Sequence, residues 1–257
     1  MMFLSHCWFL TLRVLRHLMR QPWYIALTLI QPIIWLVLYG QLFKRVVELP
    51  GFQTSSYISF LTPGVIIMSA LFGAGWSGMG MILDLDRGVM DRFLIAPVSR
   101  PAIIIGRLMY LAIVTVVQSL ILFTMGFVLG ARYAGGPPGL FVLLIAAISL
   151  SLPFGALSIA MALVVRKQES VIGAVNFILL PLTFMSPVFI ASPLMPGWMI
   201  AASRFNPLNW AVQAGRLALA GNPDWSLIGL RLVSLWGFLL FALFLATRAF
   251  RSYQRSA

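Results

Sequence analysis

Between Tyr24 and Thr247 the chain runs through six apolar stretches of 20 to 26 residues, at 24–43, 58–83, 108–130, 140–165, 171–190 and 227–247, with Arg231 as the one charge inside them. About 20 residues of helix cover the hydrocarbon thickness of a bilayer, and a helix satisfies its own backbone where water cannot. The composition agrees: 61% of the 257 residues are hydrophobic and 9% charged, whereas soluble domains carry roughly a quarter charged residues. The expected fold class is therefore an all-α membrane protein with six transmembrane helices. Six spans leave short loops and no room for a separate soluble catalytic domain. Pro32 and Pro153 lie within spans, where neighbouring helices can repair the backbone.

The net charge of +12 comes from 18 Lys and Arg against six acids. These charges are interspersed between apolar runs and not gathered on a soluble face, which points to the lipid bilayer and not to nucleic acid. With the N-terminus inside, twelve basic residues fall on cytoplasmic segments (Arg13, Arg16, Arg20, Arg87, Arg92, Arg100, Arg107, Arg166, Lys167, Arg248, Arg251, Arg255) and six outside (Lys44, Arg45, Arg132, Arg204, Arg216, Arg231). The positive-inside rule then places both termini in the cytoplasm. Cys7 is the only cysteine, which rules out an internal disulfide.

Two segments do not read as spans. In residues 1–21, Arg13, Arg16, His17 and Arg20 share one helical face, opposite Phe9, Leu12, Leu15 and Met19. That pattern describes an interfacial helix with its basic side toward anionic headgroups. Its charges follow the apolar run, whereas a secretory signal carries them before it. In residues 191–222 two apolar pieces, Leu194–Ala202 and Trp210–Leu219, are each too short to cross and are separated by Arg204, Asn206 and Pro207. A seventh span here would bury Arg204 and Arg216 at roughly 2.5–3.5 kcal/mol each. Two readings remain: short half-inserted helices on the outer side, which fit better, or an apolar outer loop packed on the bundle.

Most catalytic chemistries lack their residues. There is no G-x-x-x-x-G-K-[ST] phosphate loop, since Lys44 and Lys167 follow no such glycines, and the two histidines, His6 and His17, lie apart from the acids, so no metal cluster is expected. Gly75-Trp76-Ser77-Gly78 matches the serine motif of rhomboid-type proteases, but no later span supplies a histidine base. Its small residues fit close helix packing better, and Gly126-x-x-x-Gly130 takes the same reading. Asp84-Leu85-Asp86 is a weak match to a metal-holding D-x-D. All six acids (Glu48, Asp84, Asp86, Asp91, Glu169, Asp224) sit at span ends or in loops. An ion-coupled secondary transporter is therefore the less favoured class, because such carriers place a carboxylate or an equivalent ion site at membrane depth.

The informative segment is DLDRGVMDRFLIAPVSRPAIIIGR, Asp84 to Arg107, which holds three of the six acids and four arginines. It reads as a short cytoplasmic helix, with Met90, Phe93 and Leu94 toward the bundle and Pro97 ending the run. Such a helix serves equally as a solvated connector or as a dock for a partner of complementary charge.

At this loop the chain resembles the type-2 ABC exporter permeases, in particular the daunorubicin-resistance branch. The matching residues are Asp84 or Asp86, Arg87-Gly88, Asp91-Arg92, Pro97, Arg100 and Gly106-Arg107. Tyr57 to Gly64 resembles the start of the family's second span. Residues 176–216, with NFILLPLTFMSPVF (containing Pro187), Pro196-Gly-Trp198, Asn206-Pro207-Leu-Asn-Trp and Arg216, resemble its fifth span and outer re-entrant region. Val89, Met90 and Ala96 depart conservatively from the usual spelling.

The resemblance implies a multi-pass protein of a prokaryotic plasma (inner) membrane that is not itself an enzyme. A second permease copy would complete a homodimer or heterodimer, and two copies of a separately encoded ATPase subunit would hold the ATP and Mg, with no cofactor in this chain. It further implies that 84–100 forms the coupling helix, with Asp84, Asp86, Arg87, Gly88, Asp91, Arg92, Pro97 and Arg100 toward the ATPase. Pro187, Pro196, Trp198, Asn206, Pro207 and Arg216 would build the outer re-entrant helices. The expected cargo is an amphipathic drug-like or lipid-like molecule, with lipid-linked polysaccharide or teichoic acid as the alternative.

Overall fold

The computed structural model describes residues 2–19, 22–48, 56–89 and 100–256. Among these residues it contains helices and turns and no strand. In chain order the helices are α1 (Met2–Met19), α2 (Pro22–Ile34), α3 (Gly40–Leu42), α4 (Tyr57–Gly75), α5 (Ser77–Asp86), α6 (Arg100–Val128), α7 (Gly136–Val165), α8 (Gln168–Phe184), α9 (Gly197–Ser203), α10 (Pro207–Leu219) and α11 (Trp225–Ser256).

Four stretches among the described residues are long and apolar enough to cross a bilayer: Tyr57–Asp86, Ala102–Val128, Gly136–Val165 and Trp225–Phe250. The remaining two expected spans coincide with shorter apolar helices, Ala26–Leu42 and Gln168–Phe184. Both are interrupted for a visible reason. Between α2 and α3 the chain widens into a π-helical turn, Trp35–Tyr39, just after Pro32, which has no N–H to give to Thr28. Helix α8, expected to reach residue 190, stops at Phe184. Pro187 disfavours helix for the residue before it, and the turn closes with Met185 donating to the Pro181 carbonyl at 2.9 Å. Seventeen helical residues span about 25 Å, so the irregular stretch after Phe184 must cover the rest of any crossing.

Helix α7 is the axis of the fold. It is apolar all round, buries residues from Gly139 to Leu163, and packs against α4, α5, α6, α8, α10 and α11. A helix with no polar face belongs inside a bundle. The outer faces of its neighbours carry the exposed apolar side chains, such as Phe177 on α8 and Leu240, Phe241 and Phe244 on α11.

The Gly75-Trp76-Ser77-Gly78 turn is a packing device. Ser158 of α7 donates to the Gly75 carbonyl and accepts from the Gly78 N–H at 3.0 Å, while Ser77 donates to the Gly155 carbonyl. A Cβ on Gly78 would collide with the Ser158 backbone carbonyl. The Gly126-x-x-x-Gly130 reading needs correction. Gly126 does sit against Thr62, but a Cβ on Gly130 would meet open space and its φ is +100, so it ends the helix instead of packing it.

Gly78→Val should therefore destabilise the purified protein by about 1–3 kcal/mol or more, because the added carbons meet rigid backbone. Thermal unfolding in detergent checks this, with Gly173→Ala, where a Cβ finds open space, as the control.

Candidate functional site

The C-terminal end of the Tyr57–Asp86 helical run is organised by one carboxylate. Helix α5 ends at Asp86, Arg87 caps it, and Gly88 at φ +63 turns the chain away. Asp84 points back into the bundle. It accepts a short ion pair from Arg107 of α6, which also donates to the Gly80 carbonyl at 3.1 Å, and a second one from Arg13 of α1 at 3.3 Å. The Asp84 and Arg107 side chains are only 18% and 13% exposed. One carboxylate thus joins three helices. Pairs this enclosed matter more than surface ion pairs, because losing one partner leaves a poorly hydrated charge.

Beside this pair, Gly106 lets α1 approach α6. A Cβ there would press on the Cβ of Leu10 at 2.9 Å, and Thr11 donates to both the Cys7 and Gly106 carbonyls. The face of α1 that meets protein is thus Cys7, Leu10 and Thr11, while Trp8 and Phe9 remain exposed. Of the residues expected in the coupling segment, Asp84 turns inward, Asp86 and Arg87 are open, and Arg100 begins α6. Asp91, Arg92 and Pro97 lie outside the described residues.

At the opposite end, the 191–222 stretch folds into α9 and α10. Pro196 precedes α9, on which Trp198 is exposed. Asn206 caps α10 through its side-chain oxygen to the Leu208 N–H, with Pro207 in the first position. Its amide donates to the Leu182 carbonyl at 2.7 Å, tying the cap to the end of α8. The stretch forms no helix long enough to cross a bilayer, and Arg216 lies on the 13-residue α10. It points inward, with three N–H groups donating to the carbonyls of Pro187 (2.6 Å), Val188 (2.9 Å) and Phe60 (3.2 Å), and its guanidinium lies 3.6 Å from the Phe60 ring centroid. Tyr57 donates to the next carbonyl, Phe189. The cation is tolerated because the irregular 185–190 backbone offers carbonyls that the terminated α8 no longer pairs. Arg204 stays exposed and gives its carbonyl to the Trp210 indole.

Between these ends lie two adjoining cavities of about 230 and 180 Å³. Both are lined by Gln31, Trp35, Met68, Phe72 and Trp76. The larger continues to Tyr110, Thr115 and Gln118 of α6, where Gln118 donates to Thr28 at 3.0 Å. The smaller continues to Asn176, Thr183 and Phe184 of α8. Among the described residues, none that lines either cavity is charged. Such an aromatic, amide-bearing site at helix depth suits an apolar body with a few hydrogen-bonding groups.

The profile of ABC-2 type transporters matches residues 5–219, a run that includes both ends of the bundle and both cavities. The chain belongs to the ABC-2 type transporter family. Among its relatives, a daunorubicin resistance ABC transporter permease protein, DrrB1 of Streptomyces coeruleorubidus, is 30% identical over 231 residues, covering 88% of this chain and 78% of that protein. A putative transport permease, ycf38 of Cyanophora paradoxa, is 27% identical over 260 residues (93% and 88%). The inner membrane transport permease YadH of Escherichia coli K12 is 26% identical over 231 residues (78% and 78%).

Within this ABC-2 chain, the residues that sequence reasoning left unassigned are the cavity wall, Trp35, Phe72 and Trp76, and the partners of Arg107 and Arg216. Each joins positions 23 to 156 residues apart, so no local pattern marks them.

Arg216→Ala should cost about 3 kcal/mol or more, since charge-assisted bonds to three carbonyls disappear together. Arg216→Lys should recover only part of it, because an ammonium lacks the planar fork that reaches all three. Unfolding midpoints of the purified variants check both; an Ala variant as stable as the parent would remove Arg216 from this role.

Proposed function

We propose that this protein is the membrane-spanning permease of an ATP-driven exporter. It pairs with a second permease copy and with two copies of a separately encoded ATPase subunit, and moves an amphipathic drug-like or lipid-like molecule outward. The observation that carries this reading is the family match over residues 5–219 in a chain whose sequence has no phosphate-binding loop. Transport must then be driven from outside the chain. The names of the relatives favour a permease, and one of them a drug-resistance permease.

In this reading the protein crosses a prokaryotic inner membrane six times, with both termini cytoplasmic. The first and fifth crossings are completed by the π-turn and by the Arg216-held stretch after Phe184. The 84–100 segment receives force from the ATPase, and the uncharged cavities against Trp35, Phe72 and Trp76 receive cargo. Closure of the ATPase pair does work only if its contacts with this segment differ between two bundle states. Short helix α5 is suited to carry that difference, because it is hydrogen-bonded to α7 at Gly78 and ion-paired to α6 at Asp84.

Asp91→Ala with Arg92→Ala is expected to leave insertion intact while lowering export at least tenfold relative to ATP hydrolysis, read in vesicles that contain the ATPase subunit. Undiminished, substrate-stimulated export in that variant would remove the segment from coupling. Topology is tested separately. In a Cys7→Ser background, Phe205→Cys, which is 83% exposed, should react with an impermeant thiol reagent from outside only. Labelling from the cytoplasmic side would invert the orientation.

A further inference from the structure

We propose that the cleft between α1 and the inner end of α5 is a binding site for the phosphate headgroup of an anionic lipid. The cleft, of about 460 Å³, brings together Arg13, Arg16, Arg87 and Arg107, and Asp84 is the only acid among the described residues that line it. That carboxylate is already engaged by Arg107 and Arg13. Arg16 and Arg87 are exposed and make no hydrogen bond or ion pair among the described residues. Four guanidinium groups around one carboxylate repel each other unless a further anion joins them. Guanidinium forks match phosphate oxygens in a bidentate way that a chloride ion does not exploit.

The cleft is also two-faced. Phe9, 67% exposed, and Leu83, 46% exposed, line it beside the arginines. An apolar lip next to a cationic bowl fits a molecule with a phosphate end and an acyl end. A soluble phosphate ester would use the bowl and leave the lip wet, so the geometry favours the lipid. The site differs from the uncharged cavities at helix depth, and it places the bound phosphate against the Asp84–Arg107 pair that joins α1, α5 and α6.

The test uses the purified full-length chain without ATP or a partner subunit, so its result is independent of the export reading. Dioleoyl-phosphatidylglycerol is titrated into protein held in phosphatidylcholine nanodiscs, and bound lipid is read by native mass spectrometry and by the shift in unfolding midpoint. Phosphatidylglycerol is expected to be retained and to raise the midpoint. Arg16→Ala combined with Arg87→Ala should weaken that binding tenfold or more, while Lys44→Ala, which removes one charge from a different cleft, leaves it unchanged. Should the double variant misfold, Arg16→Gln alone, on an exposed side chain, gives a loss of several-fold. Equal retention by parent and variant, or equal retention of phosphatidylcholine, overturns the site. Displacement of the lipid by millimolar glycerol phosphate would reassign the bowl to a soluble phosphate ester and overturn the lipid.

Discussion

Everything at the end of the bundle that holds α9 and α10 depends on a group of carbonyls that would otherwise have no partner. A bilayer does not hydrogen-bond to backbone, so irregular chain at membrane depth survives only where protein supplies the donors. Helix α8 stops at Phe184, and the residues that follow run without helical pairing. Arg216 covers Pro187 and Val188, Tyr57 covers Phe189, and Asn206 reaches back to Leu182. The donors come from α4, from the α9–α10 junction and from the last turn of α10, so the short helices α9 and α10 are fastened to the core by the defect in the helix before them. A ladder of aromatic rings, Trp35, Tyr39, Phe43, Tyr57 and Phe60, spaced 4.6 to 6.1 Å apart, runs from the cavity wall to the guanidinium of Arg216. Cavity and outer cap are in this way one packed unit.

The inner end solves a different problem. Two helices, α1 and α6, bring arginines to the acidic end of α5, and Asp84 is the carboxylate through which the three lie side by side. Its placement separates structural from accessible charge in the same short motif: Asp84 is spent within the bundle, whereas Asp86 and Arg87 two and three residues on are exposed. The Gly106-Arg107 pair is explained by the same contact. The glycine admits α1 and the arginine crosses to Asp84.

Much of the helical organisation was legible because apolar run length is a local property. The 140–165 and 227–247 runs lie within α7 and α11, and the short pieces about Asn206 were separable because a cap residue, a proline and an arginine stand together. Two things were not legible. The cost of burying Arg216 was weighed only for a seventh span, where an arginine faces lipid, and its burial against free carbonyls had no mark in the local sequence. Those carbonyls arise from α8, some 30 residues earlier in the chain. Gly130 was read as a packing glycine because spacing cannot distinguish a small residue at a contact from one at a left-handed turn. The cavities were invisible because Trp35 meets Phe72 and Trp76 only after two segments distant in the chain pack together.

These features meet in α5. Its ten residues connect Trp76, which lines both cavities, to Asp84 and Arg87 at the inner surface. A helix of that length is about 15 Å long and does not bend over so short a distance. Its two ends are also anchored differently. The Gly78 end is held to α7 by paired Ser158 bonds with almost no clearance, and the Asp84 end by ion pairs to Arg107 and Arg13. If force reaches this segment as proposed above, a displacement of the Asp84 end would tilt α5 about the close Gly78–Ser158 contact, beside Trp76 and the two cavities it lines.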